Sequence, residues 1–322
     1  MARTSEFQLI ERFTSAFRLE GPGVVAGPGD DCALTRPRPG HLLVSKVDQV
    51  VEGVHFGAAF RPEEIGHKAL AVALSDLAAA GAEARWFLVA IALREGLSPA
   101  FVGAVARGMA RLAARANATL IGGNFTAAAQ LSIAVTALGE VRPEHALRRS
   151  GARPGDRLFV SGVLGEAALG VRLLAAGRPR RPGPAARAQL TPEPRVRLGP
   201  IAGRHASAAV DVSDGLLQDL GHLCARSGVG ATIHAAALPL GREVAALGAE
   251  GLRLALTGGE DYELLLAVPP ARAAALRRAA ARIGETLTEI GVVDEAPGLR
   301  VLDEARRPLP VPARRGWEHF RA

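Results

Sequence analysis

Carboxylates beside small residues recur along the 322-residue chain. They are Asp31 in GPGDDCAL, Asp48 in KVDQVVEGVHF, Asp76 in ALSDLAAAGA, Asp211 and Asp214 in VDVSDGLL, and Glu260 in LTGGEDYELLL. Oxygen ligands without soft companions suit a hard cation. Mg²⁺ takes one or two carboxylates and completes its shell with phosphate oxygens and water. The set therefore points to phosphoryl chemistry, where positioning and charge neutralisation supply most of the rate. No GxxxxGK[ST] loop, no protein-kinase HRD/DFG set and no His/Cys zinc spacing accompanies it.

The elements that must hold these groups follow from pattern. Leu42 to Phe56 begins as a strand, and period two puts Val44, Lys46 and Asp48 on one face. Such charges are costly to bury unless they meet a partner, a metal or a charged ligand. The other reading is an edge strand with solvated charges. Glu52 and His55 follow, beside Gly53, where backbone can approach a ligand. Pro62 to Ala80 reads as a buried helix with Glu63 and Glu64 on its positive end and Asp76 pointing into a site. Asp30-Asp31 either caps a turn or ligates a hard cation at a strand end.

Residues 5–18 form an amphipathic helix with Phe7, Ile10, Phe13 and Phe17 near one face. Trp86 to Leu93 is a strand, 98–116 a helix, ATLIGGNFT a strand ending in Gly122-Gly123-Asn124, and LSIAVTALGEV another strand. The turn Pro154-Gly155-Asp156 starts a new region, which sets domains of 1–147 and 148–322. In the second, a helix around 164–176 precedes GRPRRPGPAAR (177–187), read as mobile surface with a phosphate-binding role left open. AAVDVSDGLLQDLGHL is strand, turn and helix, with Ser213 as N-cap and Leu216, Leu217, Leu220, Leu223 and Cys224 on the apolar face. Asp211 and Asp214 flank that helix start, as capping charges or as ligands. Gly258-Gly259-Glu260-Asp261 makes a tight turn, and Trp317 and Phe320 are apolar anchors on the C-terminal tail.

Composition narrows the class. The chain carries a formal charge of +7, but of its 39 basic residues only Lys46 and Lys68 are lysine. No basic stripe interleaves with aromatics, which argues against nucleic acid, while a basic balance suits phosphorylated small molecules. Cys32 and Cys224 are too few for a disulfide framework or a zinc site. The N-terminus lacks an apolar signal core and no stretch is long enough to span a bilayer, so the expectation is a soluble cytoplasmic protein without a membrane partner.

In order, GPGDDCAL, DQVVEGVHF, GHKALAVALSDLAAAGA, LIGGN, RSGARPGD, VDVSDGLLQDLGH and LTGGEDYELLLAVP resemble the thiamine-monophosphate kinase family over about residues 5–320. EGVHF, SDLAAAGA, SDGLLQDLGH and GGEDYEL are the most specific pieces. The resemblance implies an α/β (α+β) protein with a two-domain aminoimidazole ribonucleotide synthetase-like fold. It also implies a homodimer paired through N-terminal sheets, whose first domain binds metal and nucleotide. The implied reaction is Mg²⁺-dependent transfer of the γ-phosphoryl group of ATP to thiamine monophosphate. By motif, Asp31, Asp48, Asp76, Asp211 and Asp214 match magnesium ligands. Gly123, Arg149 and Ser213 match ATP contacts, with Asn124 beside Gly123; His55, Glu260 and Trp317 match substrate contacts.

Two departures stand out. The chain has Lys46-Val47 where the family has a Ser/Thr pair, and Asn124 where it has aspartate. In the family, the side chains at the places of Val47, Asp48 and Asn124 would hold one magnesium ion. Either Lys46 stands in for that metal and contacts an ATP phosphate, joining Asp48, Asp76 and Asp211 in catalysis, or it pairs with Asp48. The alternatives to a kinase are a non-catalytic binding paralogue and a related enzyme with another phosphate acceptor.

Overall fold

The computed structural model describes residues 5–318, so Phe320 lies outside the described residues. The chain divides into two compact units, one ending at Pro143 and one starting at Glu144, with Ala78–Ala82 counted to the second. Among the described residues no helix is long and apolar enough to cross a membrane.

The first unit contains α1 (Glu6–Thr14), β1 (Val24–Ala26), β2 (Leu34–Thr35), β3 (Leu42–Val51), α2 (Pro62–Ala79), β4 (Glu83–Leu93), α3 (Pro99–Ala116), β5 (Thr119–Ala127) and β6 (Ser132–Val141). Ser5 and Gln8 close a capping box on α1. That helix buries Phe13 but leaves Phe7, placed near the same face by its spacing, exposed. A four-stranded sheet runs in the order β3-β6-β4-β5. β6 is antiparallel to both neighbours, and β5 lies parallel to β4, with α3 as the crossover such a pair requires. β3 is an edge strand pairing with β6 from Leu42–Val141 to Val51–Ser132. Its alternation is clean: Val44, Lys46, Asp48 and Val50 are the more covered residues, Leu43, Ser45, Val47 and Gln49 the exposed ones. Helix α2 is buried nearly all round. It approaches α3 so closely that a Cβ on Gly66 would strike the Val105 carbonyl oxygen, and one on Gly108 that of Glu63.

β5 does not stop at Gly122-Gly123-Asn124. Pairing of Gly122–Ala127 with Leu88–Leu93 carries it on, and Gly123 is side-chain-free because the Val89 carbonyl oxygen occupies the place of its Cβ. The alternation signal was missing there because glycines have no side chain to alternate.

The second unit contains β7 (Arg157–Ser161), α4 (Glu166–Ala175), α5 (Pro184–Leu190), α6 (Gly199–Ala202), β8 (Ala208–Val212), α7 (Leu216–Ser227), β9 (Gly230–His234), α8 (Arg242–Ala245), α9 (Ala249–Thr257), β10 (Glu263–Val268), α10 (Pro270–Arg282), β11 (Leu287–Asp294), β12 (Gly298–Leu302) and β13 (Pro308–Leu309). A seven-stranded sheet runs β13-β12-β9-β11-β7-β10-β8, antiparallel except for β12 beside β9. Both faces are covered. Leu158, Val160, Val210, Val212 and Leu265 pack with α7, while Phe159, Ala209, Leu264, Leu266 and Val268 pack with α10. The run 177–187 is not loop throughout, because Pro184 sits at the first turn of α5, where a missing N–H is harmless.

Candidate active site

In the first unit, β3 and α2 bring Lys46, Asp48 and Asp76 together. Lys46 Nζ lies 3.1 Å from Asp76 Oδ2 and 3.5 Å from Asp48 Oδ1. The side chains are 36%, 29% and 27% exposed respectively, so the trio is open to solvent and to a ligand. Lys46 thus meets Asp48 and, from the neighbouring helix, a second carboxylate.

The segment after β3 is stapled from several sides. Gly53 has φ +80° and donates its N–H to Phe56 O at 2.7 Å. Arg94 forks onto Glu52 at 2.8 and 3.3 Å, and Gln130 Nε2 donates to Glu52 O at 2.5 Å. His55 Nδ1 accepts the Val51 N–H at 3.1 Å, which leaves Nε2 to carry the proton of a neutral ring. Lys68, fully buried in α2, donates to His55 O at 2.9 Å and sits over the Phe60 ring. Sequence reasoning missed Lys68, although a cation midway along a helix expected to be buried was a legible signal; Arg94 and Gln130 gave none.

Asp31 is exposed in the bend between β1 and β2. Gly123 and Asn124 are exposed on β5. β5 and β3 are opposite edges of the sheet, three strand spacings or about 14 Å apart. One copy of the chain therefore does not bring Asn124 to Val47 and Asp48.

In the second unit three segments converge on the turn Ser213–Gly215. Glu260 and Tyr262 donate their N–H groups to Ser213 O at 2.8 Å and Val212 O at 2.9 Å. Trp317 donates its N–H to Asp214 O at 3.0 Å, and Gln218 Nε2 donates to Trp317 O at 2.8 Å. Gln189 Nε2, from α5, donates to Glu260 Oε2 at 2.7 Å. Asp211, Ser213, Asp214, Glu260 and Trp317 thus belong to one neighbourhood. Asp211 lies within β8, opposite Leu264 and nearly buried, rather than at a helix end. Arg149 is not in this group: its carbonyl accepts from Ser227 Oγ, at the far end of the 12-residue helix α7, about 18 Å from the turn.

Ser213 is not the N-cap. That position is Gly215, at φ +135°, and the capping carboxylate is Asp219 inside the helix. Asp219 Oδ2 accepts the N–H groups of Ser213, Asp214 and Gly215 at 3.0, 3.0 and 3.1 Å. Its Oδ1 is buried without a hydrogen bond. Burial and the nearby Asp214 charge push the Asp219 carboxyl up to about 7, against the pull of the three amides. Asp219 lies three residues after Leu216 and four before Leu223, so a charge on the apolar stripe was the clue available in the sequence.

The donor chemistry fits magnesium. Every group in question is a hard oxygen, and the buried Asp219 Oδ1 is an acceptor left without a hydrogen-bond partner beside them. Among the described residues no three or more His, Cys, Asp or Glu side chains form a metal cage. Pairs of carboxylates suit an ion that arrives with phosphate and water ligands.

Residues 29–141 match the AIR synthase related protein N-terminal domain, and residues 153–304 the corresponding C-terminal domain. The chain is 36% identical to a thiamine-monophosphate kinase of Salmonella typhimurium, over 98% of each chain. The solved thiamine-monophosphate kinase of Stenotrophomonas maltophilia superposes with a TM-score of 0.85 at 41% identity, covering 92% of this chain and 96% of that one. The solved complex of AaThiL with AMPPCP and TMP gives a TM-score of 0.78 at 30% identity, covering 98% and 96%.

Proposed function

The chain belongs to the thiamine-monophosphate kinase family, and on that premise we propose that it transfers the γ-phosphoryl group of ATP to thiamine monophosphate, releasing ADP and thiamine diphosphate. The observation that carries the proposal is identity of 36% over 98% of the length of both chains. The grouping of Asp211, Ser213, Asp214, Glu260 and Trp317 around one turn supports it.

In the reaction, the bond between the γ-phosphorus and its bridging oxygen breaks while a terminal oxygen of the acceptor phosphate bonds to that phosphorus. Both reactants are polyanions, so charge must be neutralised before they meet. Bound magnesium would supply that neutralisation on the phosphate oxygens. Asp31, Asp48 and Asp76 would hold it in residues 1–147, the metal-binding and dimerisation part, and Asp211 and Asp214 would hold it in residues 148–322. By their match to the family, Gly123 and Asn124 of the first unit and Ser213 of the second would contact ATP, while Arg149, about 18 Å from the Ser213 turn, would offer its fork of donors to a different part of the nucleotide. His55, Glu260 and Trp317 take thiamine monophosphate, with Trp317, 47% exposed, offering a stacking face.

The working form is a cytoplasmic homodimer joined through the first unit's sheet. Edge strand β3 leaves Leu43 52% and Val47 62% exposed, which supports a partner there. Laying β3 of one copy beside β5 of another would also put Asp48 and the partner's Asn124 on adjacent strands. The test is turnover with ATP, Mg²⁺ and a panel of acceptors. Thiamine monophosphate should be used and thiamine, which lacks the acceptor phosphate, should not. Binding of both ligands without turnover would favour a non-catalytic paralogue, and preference for another phosphate ester would favour a related enzyme.

A further inference from the structure

We infer that the Lys46 ammonium is a built-in cation that holds the place of one divalent ion between Asp48 and Asp76. The inference rests on the reading above, that these carboxylates meet a nucleotide's metal. Its first support is geometric. Two carboxylates from different elements converge on one nitrogen, at 3.1 and 3.5 Å. Neither element is free to drift. β3 is fixed by its ten-residue pairing with β6, and α2 by the close glycine contacts at Gly66 and Gly108. A magnesium ion bridging the same oxygens would need them at about 2.1 Å, in the space the ammonium fills. A metal at that one position therefore competes with the lysine, and the nucleotide's magnesium would meet Asp48 and Asp76 through their other oxygens.

The residue type is the second support. Of 39 basic side chains only two are lysine, and one of them stands at this position. A guanidinium is a planar fork, whereas an ammonium is a compact point charge, the nearer equivalent of an ion. The third support is electrostatic. An ammonium about 4 Å from a divalent ion weakens its binding roughly thirtyfold even at the dielectric of bulk water. With about a third of each side chain exposed, the trio remains reachable from solvent. The lysine thus supplies one fixed positive charge and frees this position from dependence on a diffusible metal.

The experiment counts metal ions rather than turnover. Mn²⁺ binding is titrated by electron paramagnetic resonance, with AMPPCP present, for the wild type, Lys46→Met, Lys46→Gln and Lys46→Arg. The inference expects Lys46→Met and Lys46→Gln each to bind one more Mn²⁺ per chain than the wild type, at least about tenfold tighter than any residual wild-type site. Lys46→Arg, which keeps the charge, should follow the wild type. Equal stoichiometry in wild type, Lys46→Met and Lys46→Gln would overturn the inference while leaving the kinase reading intact. No Mn²⁺ binding in any of the four proteins would overturn the metal-dependent reading and this inference with it.

Discussion

Asp219 reaches back from the first turn of α7 to the backbone of Asp214, whose N–H it accepts at 3.0 Å, and the same oxygen takes the neighbouring N–H groups of Ser213 and Gly215. One buried carboxylate therefore sets the shape of the turn on which Asp214, Glu260 and Trp317 depend. Asp219→Ala should lower stability by about 1–3 kcal/mol, the range for buried donors left without an acceptor. It should also raise the KM for ATP more than it lowers kcat. Asp219→Asn, which keeps an acceptor oxygen, should recover most of both losses. Urea unfolding and steady-state kinetics decide this, and normal ATP binding in a folded Asp219→Ala protein would count against it.

Asp76 should matter more for rate than for fold. If its oxygens meet metal and nucleotide, Asp76→Ala should reduce turnover by about 10²-fold or more, as at comparable electrostatic sites. Circular dichroism should remain that of the wild type. Near-normal turnover in the folded variant would remove Asp76 from the machinery.

Much of this arrangement was legible in the sequence, for identifiable reasons. The shared face of Val44, Lys46 and Asp48 followed from strand period alone, and the structure keeps it. The apolar stripe of α7 was equally clear, and its leucines are all buried. Local pattern could not show that Lys46 meets Asp76, because that contact depends on how α2 crosses β3. The same limit hid Gln189 on Glu260 and the docking of Trp317 on Asp214, which join residues 71 and 103 positions apart. The N-cap was misread because Ser213 looks like a cap, while the true capping group sits four residues inside the turn it caps.

Stability should fall with rising pH through the Asp261 carboxyl. Asp261 caps α4, accepting the N–H groups of Gly165 at 2.7 Å and Ala167 at 3.1 Å. Burial nevertheless pushes it up to about 8 from an ordinary 3.8, with Glu263 and Glu166 adding to the rise. The folded state then holds a proton that the unfolded chain has lost. The stability it contributes is complete below about pH 4 and is lost as the pH passes through about 8. The advantage of wild type over Asp261→Ala in urea midpoints should therefore narrow between pH 5 and 8, by at most about 1.4 kcal/mol per pH unit. An advantage that widens with pH would show the carboxylate to be preferentially charged in the fold.

The edge strand should be an interface. Leu43→Glu places a charge on the exposed face of β3 without touching its pairing with β6. Light scattering should find the wild type dimeric at micromolar concentration and this variant shifted to monomer. A monomeric wild type would refute the dimer.

The most direct test of the account is ³¹P nuclear magnetic resonance of the protein mixed with ATP, Mg²⁺ and thiamine monophosphate. Direct γ-phosphoryl transfer predicts that the acceptor's monophosphate signal is replaced by a diphosphate pair, growing in step with ADP and without free phosphate. An unchanged monophosphate signal, with ATP either intact or lost to orthophosphate, would contradict it.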